Sequence, residues 1–204
     1  TDKAVNPLNL YGGTKLVSEK LFISANNSFG NHPTRFAVTR YGNVIGSRGS
    51  IIPIFKKLVR ENANFFPITD ARMTRFWMTL EESVNLVLSS LVYMTGGETF
   101  VPKIPSIKIV DLAKAIDPNK KIKIIGLRPG EKLHEALCSI DESHLIVDFK
   151  NYYLVMPSTS MNKEKKKYLK NSLGEKGKKL PLDFKYNSFN NKHFLDIKNI
   201  KKSL

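Results

Sequence analysis

Residues 10–41 read LYGGTKLVSEKLFISANNSFGNHPTRFAVTRY, and the change of periodicity within this stretch decides the fold. Apolar residues recur at helical spacing over residues 10–27, which predicts an amphipathic helix. Residues 35–41 are rich in β-branched and aromatic side chains and lie between a proline and a glycine, which predicts a strand. A helix that leads into a strand is the repeating step of an α/β fold.

The alternation of helix and strand continues to residue 156. Ser50 is placed to cap a second helix, Thr79 and Glu82 form a capping box before a third that ends near residue 94, and Ser106 is placed to cap a fourth. Residues 128–137 are predicted as a loop that leads into a short helix. Further strands are predicted at residues 67–69, 98–101, 121–125, 145–149 and 152–156. We therefore expect an α/β fold with a largely parallel sheet.

The segment 161–204 is rich in lysine. It contains 13 lysines and no arginine, in a chain whose formal net charge is +15. Its periodicity is weak, so it is predicted to be a tail or a surface helix. Surfaces that bind nucleic acid use arginine forks interleaved with aromatic rings, and this segment lacks that pattern. We therefore expect a solvated basic surface and no nucleic-acid partner.

Composition excludes several other classes of protein. The single cysteine, Cys138, rules out a disulfide framework, and the four histidines show no ligand spacing, so no metal site is predicted. No apolar run approaches the length of a membrane span, and no signal peptide is recognisable. The chain begins at Thr1 within sequence that looks functional, so we expect it to be truncated at its N-terminus.

Tyr11 and Lys15 are four residues apart, so both project from one face of the first predicted helix. An ammonium group beside a phenol favours loss of the phenolic proton, which would let the tyrosine remove a proton from a hydroxyl group. The spacing alone carries little weight because lysine is abundant in this chain. Without further context, an exposed helix with an unrelated lysine is the better interpretation.

Four motifs in a fixed order supply that context. They are TDKAVNPLNLYGGTK at 1–15, RYGNVIGSRGS at 40–50, ITD at 68–70 with MTRFW at 73–77, and RPGEKLHE at 128–135. Together they closely resemble the extended short-chain dehydrogenases/reductases, and more narrowly the dehydratases of polysaccharide biosynthesis that act on nucleotide sugars. The resemblance covers residues 1–150.

This resemblance implies a doubly wound, parallel NADP-binding (Rossmann) sheet with a smaller α/β substrate domain. Residues 1–49 would be the C-terminal part of the NADP-binding domain, residues 50–160 mainly the nucleotide-sugar domain, and residues 161–204 the lysine-rich segment. Helix 80–94 and strand 98–101 would return to the Rossmann domain. No G-x-G-x-x-G motif occurs, so the turn that grips the pyrophosphate is expected upstream of the chain.

The resemblance also implies roles for individual residues. Arg128 would suit a diphosphate because its guanidinium is planar, and Glu131 would suit ribose hydroxyls; without the resemblance, a surface salt bridge between them would be the better interpretation. The implied catalytic set is Thr1, Asp2, Lys3, Tyr11 and Lys15. Tyr11 and Lys15 would also hold the nicotinamide ribose, and the cofactor would be lined by Val44, Ile45, Gly46, Ser47 and Arg48. The implied contacts to the nucleotide sugar are Asn43, Ile51, Thr69, Arg128 and Glu131.

The pair Asp2-Lys3 indicates a subtype within the family. Relatives that retain configuration at C5 of the sugar carry Asp-Glu here, whereas the inverting enzymes resemble this chain. The implied activity is dehydration of UDP-N-acetylglucosamine across C4, C5 and C6 with inversion at C5, for surface or flagellar glycans of the pseudaminic-acid type. Lys3 would be the base at C5, and Asp2 the acid that protonates the departing C6 hydroxyl.

Two alternatives remain open. The first is a related epimerase or dehydratase of the same superfamily, although an epimerase needs no C5 base such as Lys3. The second is a non-catalytic basic binding fragment, which the missing arginine–aromatic clustering argues against. We expect a cytoplasmic, homo-oligomeric lyase that uses NADP and a UDP-sugar, with no membrane partner and with little activity in the fragment alone.

Overall fold

The computed structural model describes residues 1–28, 32–47, 49–158 and 164–204, and within them helices and strands alternate. Short 3₁₀ turns lie at Asp2–Ala4, Ser143–Leu145 and Glu164–Leu169. The helices are α1 Leu10–Ser28, α2 Ile51–Arg60, α3 Leu80–Tyr93, α4 Ile109–Ile116 and α5 Ile197–Lys202. The strands are β1 Val38–Thr39, β2 Asn43–Val44, β3 Phe65–Ile68, β4 Thr74–Met78, β5 Thr99–Pro102, β6 Ser106–Lys108, β7 Lys121–Ile124, β8 Ala136–Cys138, β9 Ile146–Asp148, β10 Tyr152–Val155, β11 Lys178–Lys179 and β12 Tyr186–Asn187.

The chain divides into two compact units, each built from three segments. The first unit contains Thr1–Tyr41, Ser83–Lys103 and Ala136–Tyr186, and the second contains Gly42–Glu82, Ile104–Glu135 and Asn187–Leu204. Both the loop after Gly42 and the end of the lysine-rich segment therefore belong to the second unit. Which unit binds the cofactor and which binds the sugar stays a prediction.

The first unit contains a five-stranded mixed sheet in the order β1-β5-β10-β9-β11. β1 pairs in parallel with β5, whereas β10 pairs antiparallel with both β5 and β9, and β11 pairs antiparallel with β9. All four residues of β5 are buried, which fits a central strand covered on both faces. The ring of Tyr152 stacks on Phe149 with a centroid separation of 4.8 Å and closes one end of this core.

The second unit has two small sheets and three helices. β2 pairs in parallel with β4, β4 pairs antiparallel with β6, and β3 pairs in parallel with β7. One core cluster contains Trp77 from β4 and Ile200 from α5, and a second contains Phe55 from α2 stacked 4.5 Å from Phe66 of β3. The clusters include Trp77 and Met73, and Phe76 and Met78 are buried as well, as expected for core residues.

Several of the predicted elements are confirmed. Helix 10–27 is present as α1, and the capping box is formed, because the Thr79 N–H donates to Glu82 Oε2 at 2.6 Å and the Glu82 N–H donates to Thr79 Oγ1 at 3.1 Å. The helix that follows ends before Gly96 and Gly97, which both have positive φ angles that favour glycine. None of the helices in the described part of the chain has the length and apolarity that a membrane span requires.

Two local predictions are wrong. Ser106 does not cap α4, because it lies in β6 and its hydroxyl group accepts a hydrogen bond from Asn191 Nδ2 at 2.9 Å. The N-cap of α4 is Lys108 instead. The short helix expected after residue 128 is the strand β8, whose Leu137 and Cys138 are buried. Burial raises the pKa of the Cys138 thiol, which keeps it protonated.

The prediction of a tail or surface helix after residue 160 is also wrong for the described residues 164–204. Apolar side chains between the lysines pack into both units: Tyr168 and Tyr186 are buried in the first, and Ile200 is fully buried in the second. In the first unit, the Tyr168 hydroxyl donates to the Gly96 carbonyl oxygen at 2.9 Å. The lysines whose burial the structure describes in this segment lie at exposed positions.

A buried ion-pair network anchors α1 to the sheet of the first unit. Arg40, which follows β1, is 1% exposed, and its guanidinium binds the carboxylates of Glu19 from α1 and Glu142 from the turn after β8. Arg40 Nε donates to Glu19 Oε2 at 2.8 Å, and Nη1 donates to Glu142 Oε2 at 2.8 Å and to the Leu137 carbonyl oxygen at 3.1 Å. Three distant segments therefore meet at one cation.

Charge pairing outweighs burial in this network. Burial alone would lower the pKa of Arg40 and raise that of Glu142, but their hydrogen bonds reverse both effects. The pKa of Arg40 is therefore raised, and that of Glu142 lies below its usual value. Arg40 and Glu142 therefore stay ionised at neutral pH.

Replacing the cation should destabilise the fold strongly. Arg40→Met leaves the buried carboxylate of Glu19 and the half-buried carboxylate of Glu142 without their partner, so we expect a loss of about 3–5 kcal/mol in the free energy of unfolding. The control is Lys57→Met, which breaks the exposed pair between Lys57 and Glu61 and should cost under about 1 kcal/mol. Urea unfolding followed by circular dichroism measures both, and equal midpoints for the two variants would contradict the role of Arg40.

Glu142→Gln should change how stability depends on pH. Because the pKa of Glu142 is lowered on folding, its ionised form stabilises the fold above the ordinary glutamate range, and this contribution is lost as the pH falls through the lowered value. The difference in unfolding free energy between the wild type and the variant should therefore be largest near neutral pH and shrink on acidification. A difference that stays constant with pH would show that the charge of Glu142 is not responsible.

Candidate functional site

The N-terminal 3₁₀ turn places Asp2 and Lys3 beside the end of β1. The Asp2 N–H donates to the Tyr41 carbonyl oxygen at 3.2 Å, and the backbone nitrogen of Thr1 lies 3.4 Å from the Thr39 carbonyl oxygen. Thr1 is also the N-cap of the turn, with its side chain accepting from the Lys3 N–H. These backbone contacts fix the turn to the first unit.

The carboxylate of Asp2 is buried, and only one of its oxygens has a partner among the described residues. Asp2 Oδ1 accepts from the Thr1 hydroxyl at 3.2 Å and from the Lys3 ammonium at 3.4 Å, whereas Oδ2 is buried without a hydrogen bond. The side chain of Lys3 is 45% exposed. A buried acceptor next to a reachable cation is an arrangement that can exchange a proton with a bound molecule.

The first turns of α1 pack directly against this 3₁₀ turn. The Gly12 N–H donates to Asn9 Oδ1 at 2.9 Å, which secures the start of the helix. A Cβ atom on Gly12 would lie 2.7 Å from the Lys3 carbonyl oxygen and 2.8 Å from Pro7 Cβ, so only glycine allows this approach. The helix therefore begins close to Asp2 and Lys3.

Tyr11 and Lys15 lie on the exposed side of α1. The Lys15 ammonium is 5.3 Å from the centroid of the Tyr11 ring, and the Tyr11 side chain is largely exposed. The structure thus brings the five predicted catalytic residues onto one 3₁₀ turn and the two helical turns that pack against it. A phenol and an ammonium group on one accessible face could contact a ribose and a sugar hydroxyl together.

The second unit contains a cavity of about 310 Å³, a size that suits a small-molecule ligand. Its lining includes all five residues predicted to contact the nucleotide sugar and one residue of the predicted cofactor loop. They are Asn43, Ile51, Thr69, Arg128, Glu131 and Val44. Other lining residues were predicted as core or not singled out, including Ile52, Phe55, Met73, Arg75 and Trp77.

Glu131 organises the polar edge of this cavity. Its carboxylate accepts from the Thr69 hydroxyl at 3.3 Å and from the Arg128 N–H at 3.3 Å. The described residues include no ion pair for the Arg128 guanidinium, so the surface salt bridge between Arg128 and Glu131 is absent. The Arg128 side chain is exposed and available to an anionic ligand.

Arg75 holds the segment that carries Arg128 and Glu131. Its Nη1 donates to the Leu133 carbonyl oxygen at 3.0 Å, and its Nη2 donates to the Lys132 carbonyl oxygen at 3.1 Å. Sequence reasoning missed this residue, because nothing in the motif MTRFW shows which main-chain groups its arginine will bind. The guanidinium of Arg75 is therefore structural, although it lines the cavity.

Asp70 and His134 both have shifted pKa values. Hydrogen bonds from Arg72 lower the pKa of Asp70 to about 2, which keeps this half-buried carboxylate ionised. Burial lowers the pKa of His134, and the cations of Arg75 and Arg72 add to that effect. His134 Nδ1 is 2.8 Å from Thr74 Oγ1, so its ring takes part in a local hydrogen bond.

The predicted cofactor loop forms a tight turn after β2. The Ile45 N–H donates to the Met78 carbonyl oxygen at 2.9 Å, and the Ser47 N–H donates to the Val44 carbonyl oxygen at 3.3 Å. Gly46 has a φ angle of 74°, a conformation that favours glycine. Gly46 and Ser47 are exposed, as a loop that meets a ligand requires, and the predicted Arg48 lies outside the described residues.

Known proteins that are similar to this chain help to interpret the catalytic candidates of the first unit and the cavity of the second unit. The family model described as "Polysaccharide biosynthesis protein" matches residues 1–157. The chain is 59% identical to a UDP-N-acetylglucosamine 4,6-dehydratase (inverting) from Campylobacter jejuni serotype O:2, covering 94% of this chain and 57% of that protein. It is 40% identical to a UDP-glucose 4-epimerase from Rickettsia bellii, covering 100% of this chain and 59% of that protein.

A solved structure shares the fold of nearly the whole chain. The X-ray structure of Pen from Bacillus thuringiensis matches with a TM-score of 0.82 and 33% sequence identity, and the match covers 99% of this chain and 59% of that chain. The chain therefore spans about three-fifths of the length of these relatives. The family match over residues 1–157, together with these likenesses, leads to one conclusion: the chain belongs to the polysaccharide biosynthesis protein family.

Proposed function

We propose that the full-length protein carrying this chain dehydrates UDP-N-acetylglucosamine across C4, C5 and C6 with inversion at C5. The product would be a UDP-4-keto-6-deoxy-L-arabino-hexosamine for surface or flagellar glycans of the pseudaminic-acid type. The proposal is supported by 56–59% identity to two proteins named as inverting UDP-N-acetylglucosamine 4,6-dehydratases. We further propose that the full-length protein is a cytoplasmic homo-oligomer and that it needs no metal, nucleic acid or membrane partner.

The observation that carries this proposal is the grouping of polar side chains at one cavity. Arg128 offers to a diphosphate a guanidinium that has no ion pair among the described residues, and Glu131 offers a carboxylate to ribose hydroxyl groups. Apolar walls from Ile51 and Phe55 exclude water from the remainder. A nucleotide sugar combines these features in one molecule, with an anionic centre between two polar rings.

The residues of the first unit fit a nicotinamide cofactor and the chemistry of the sugar. Tyr11 and Lys15 share one exposed helix face of the first unit, which suits contact with the ribose of NADP. Val44–Ser47, which belong to the second unit, would line the cofactor. When bound, NADP would take a hydride from C4 and return one to C6. Tyr11 would remove the C4 hydroxyl proton, with the neighbouring Lys15 ammonium stabilising the phenolate and Thr1 supporting this set through its hydroxyl group.

Oxidation at C4 makes the C5 proton acidic, and the contact between Lys3 and Asp2 can then serve the elimination of water. The Lys3 ammonium lies 3.4 Å from Asp2 Oδ1. Transfer of one proton along this contact gives a neutral amine and a neutral carboxylic acid. The amine can remove the proton at C5, and the acid can protonate the departing C6 hydroxyl, so a single proton prepares both residues.

A C4 epimerase is the second candidate, because relatives at 38–40% identity are named UDP-glucose 4-epimerase. Epimerisation requires oxidation and reduction at C4 and needs no base at C5. The two functions therefore differ in what Lys3 does.

Substitutions at Lys3 and Tyr11 should stop the reaction at different steps. Tyr11→Phe should block oxidation at C4, whereas Lys3→Ala should still permit oxidation but prevent exchange of the C5 proton and loss of water. In heavy water, the wild-type product should carry deuterium at C5 with inverted configuration, measured by NMR. A wild-type product with retained configuration, or C5 exchange in Lys3→Ala, would show that Lys3 is not the base.

Arg128→Ala should weaken binding of UDP by the full-length protein about ten-fold or more, because a charge-assisted contact to the diphosphate is lost. Calorimetric titration with UDP measures this effect. Arg60→Ala is the matched control, since Arg60 is an exposed arginine in the last turn of α2 and does not line the cavity. Equal UDP affinity in the two variants would remove Arg128 from the binding site.

A further inference from the structure

The cavity of the second unit contains polar atoms that the described residues leave without hydrogen bonds. Asn43 Oδ1 and Ser50 Oγ are both buried, and neither has a partner in the described part of the chain. Both residues line the cavity of about 310 Å³. Buried polar atoms are hydrogen-bonded in nearly all native structures, because an unpaired one loses its bonds to water without compensation. Two such atoms on the wall of one cavity indicate that the ligand of this cavity carries polar groups.

Ser50 lies at a helix N-cap, where a serine hydroxyl normally accepts a hydrogen bond from a backbone N–H of the first turn. It is the N-cap of α2, with φ −76° and ψ 167°, yet its side chain makes no capping hydrogen bond. Asp196 shows the usual arrangement at the start of α5, where its carboxylate accepts from the Asn199 N–H at 2.7 Å. The Ser50 hydroxyl is therefore uncommitted, although serine at this position could cap the helix.

The other polar groups of the cavity wall are already engaged or are assigned to another part of the ligand. Thr69 Oγ1 contacts Met73 Sδ at 3.0 Å and Glu131 Oε1 at 3.3 Å, and Arg75 binds main-chain carbonyl oxygens. Arg128 is assigned to the diphosphate by the proposed function. The surrounding wall is apolar, with side chains that include Ile51, Ile54 and Phe55.

We propose that Asn43 and Ser50 bind the 2-acetamido group of the sugar, and that Ser50 determines specificity for the substituent at C2. This inference rests on the proposed function. An acetamido group has an N–H that can donate to Asn43 Oδ1, a carbonyl oxygen that can accept from the Ser50 hydroxyl, and a methyl group for the apolar wall. A hydroxyl at C2 has no methyl group and cannot present a donor and an acceptor on two separate atoms.

The same substituent separates the sugars named for the relatives of this chain. N-acetylglucosamine carries an acetamido group at C2, whereas glucose carries a hydroxyl there. A site whose buried polar atoms are satisfied only by the amide discriminates against the sugar that lacks it, because that sugar leaves them unpaired.

The test compares ligands that differ only at the sugar. In the full-length protein, Ser50→Ala should weaken binding of UDP-N-acetylglucosamine about ten-fold, while the affinities for UDP-glucose and for UDP alone stay within about two-fold. Calorimetric titration of each ligand gives the three dissociation constants without requiring turnover. Ser50→Thr, which keeps the hydroxyl, should retain most of the preference for the acetamido sugar.

A stability control separates recognition from folding. Because Ser50 makes no capping bond, Ser50→Ala should leave the Tm nearly unchanged, whereas Asp196→Ala removes a formed cap and should lower the Tm without altering the preference between the two sugars. Equal weakening of all three ligands by Ser50→Ala, or no weakening of any, would overturn this inference while leaving the dehydratase proposal intact. Failure of the wild type to bind UDP or either UDP-sugar would instead contradict the proposed function.

Discussion

The buried guanidinium of Arg40 is the interaction on which the arrangement of the first unit depends. It joins α1, the end of β1 and the turn after β8, three segments that lie far apart in the sequence. The same α1 carries Tyr11 and Lys15, whose side chains are exposed. A helix held by Glu19 at one face cannot rotate about its axis without breaking a buried ion pair, so the network also sets the direction in which Tyr11 and Lys15 project.

The Arg40 network and the proposed ligand sites differ in whether their buried polar atoms have hydrogen-bond partners. Around Arg40 every donor and acceptor of the network meets a partner within the first unit, and the result is structural. At Asp2 Oδ2, Asn43 Oδ1 and Ser50 Oγ, buried polar atoms have no partner in the described residues. The free energy of folding does not favour such atoms, so under the proposed function we expect a bound ligand to satisfy these three.

Sequence reasoning succeeded where structure is determined locally. The periodicity of α1 and the capping box between Thr79 and Glu82 depend on neighbours within one or two helical turns. It failed at Ser106, whose hydroxyl bonds to Asn191, and in the lysine-rich segment, whose few apolar residues pack on distant strands. The motifs identified the residues that line the cavity, but they could not reveal that Arg40 is a buried anchor or that Ser50 leaves its own helix uncapped. Both facts depend on three-dimensional contacts.

The close approach of α1 to the N-terminal turn gives two adjacent glycines opposite tolerances. Gly12 admits no side chain because main-chain and proline atoms fill the space, whereas a Cβ atom on Gly13 would meet nothing within 4 Å in the described structure. Among natural variants or in a mutational library, substitutions should therefore be tolerated at Gly13 and not at Gly12. Alanine at Gly13 would favour the helical conformation by about 1 kcal/mol, while any side chain at Gly12 would push the 3₁₀ turn Asp2–Ala4 away from α1.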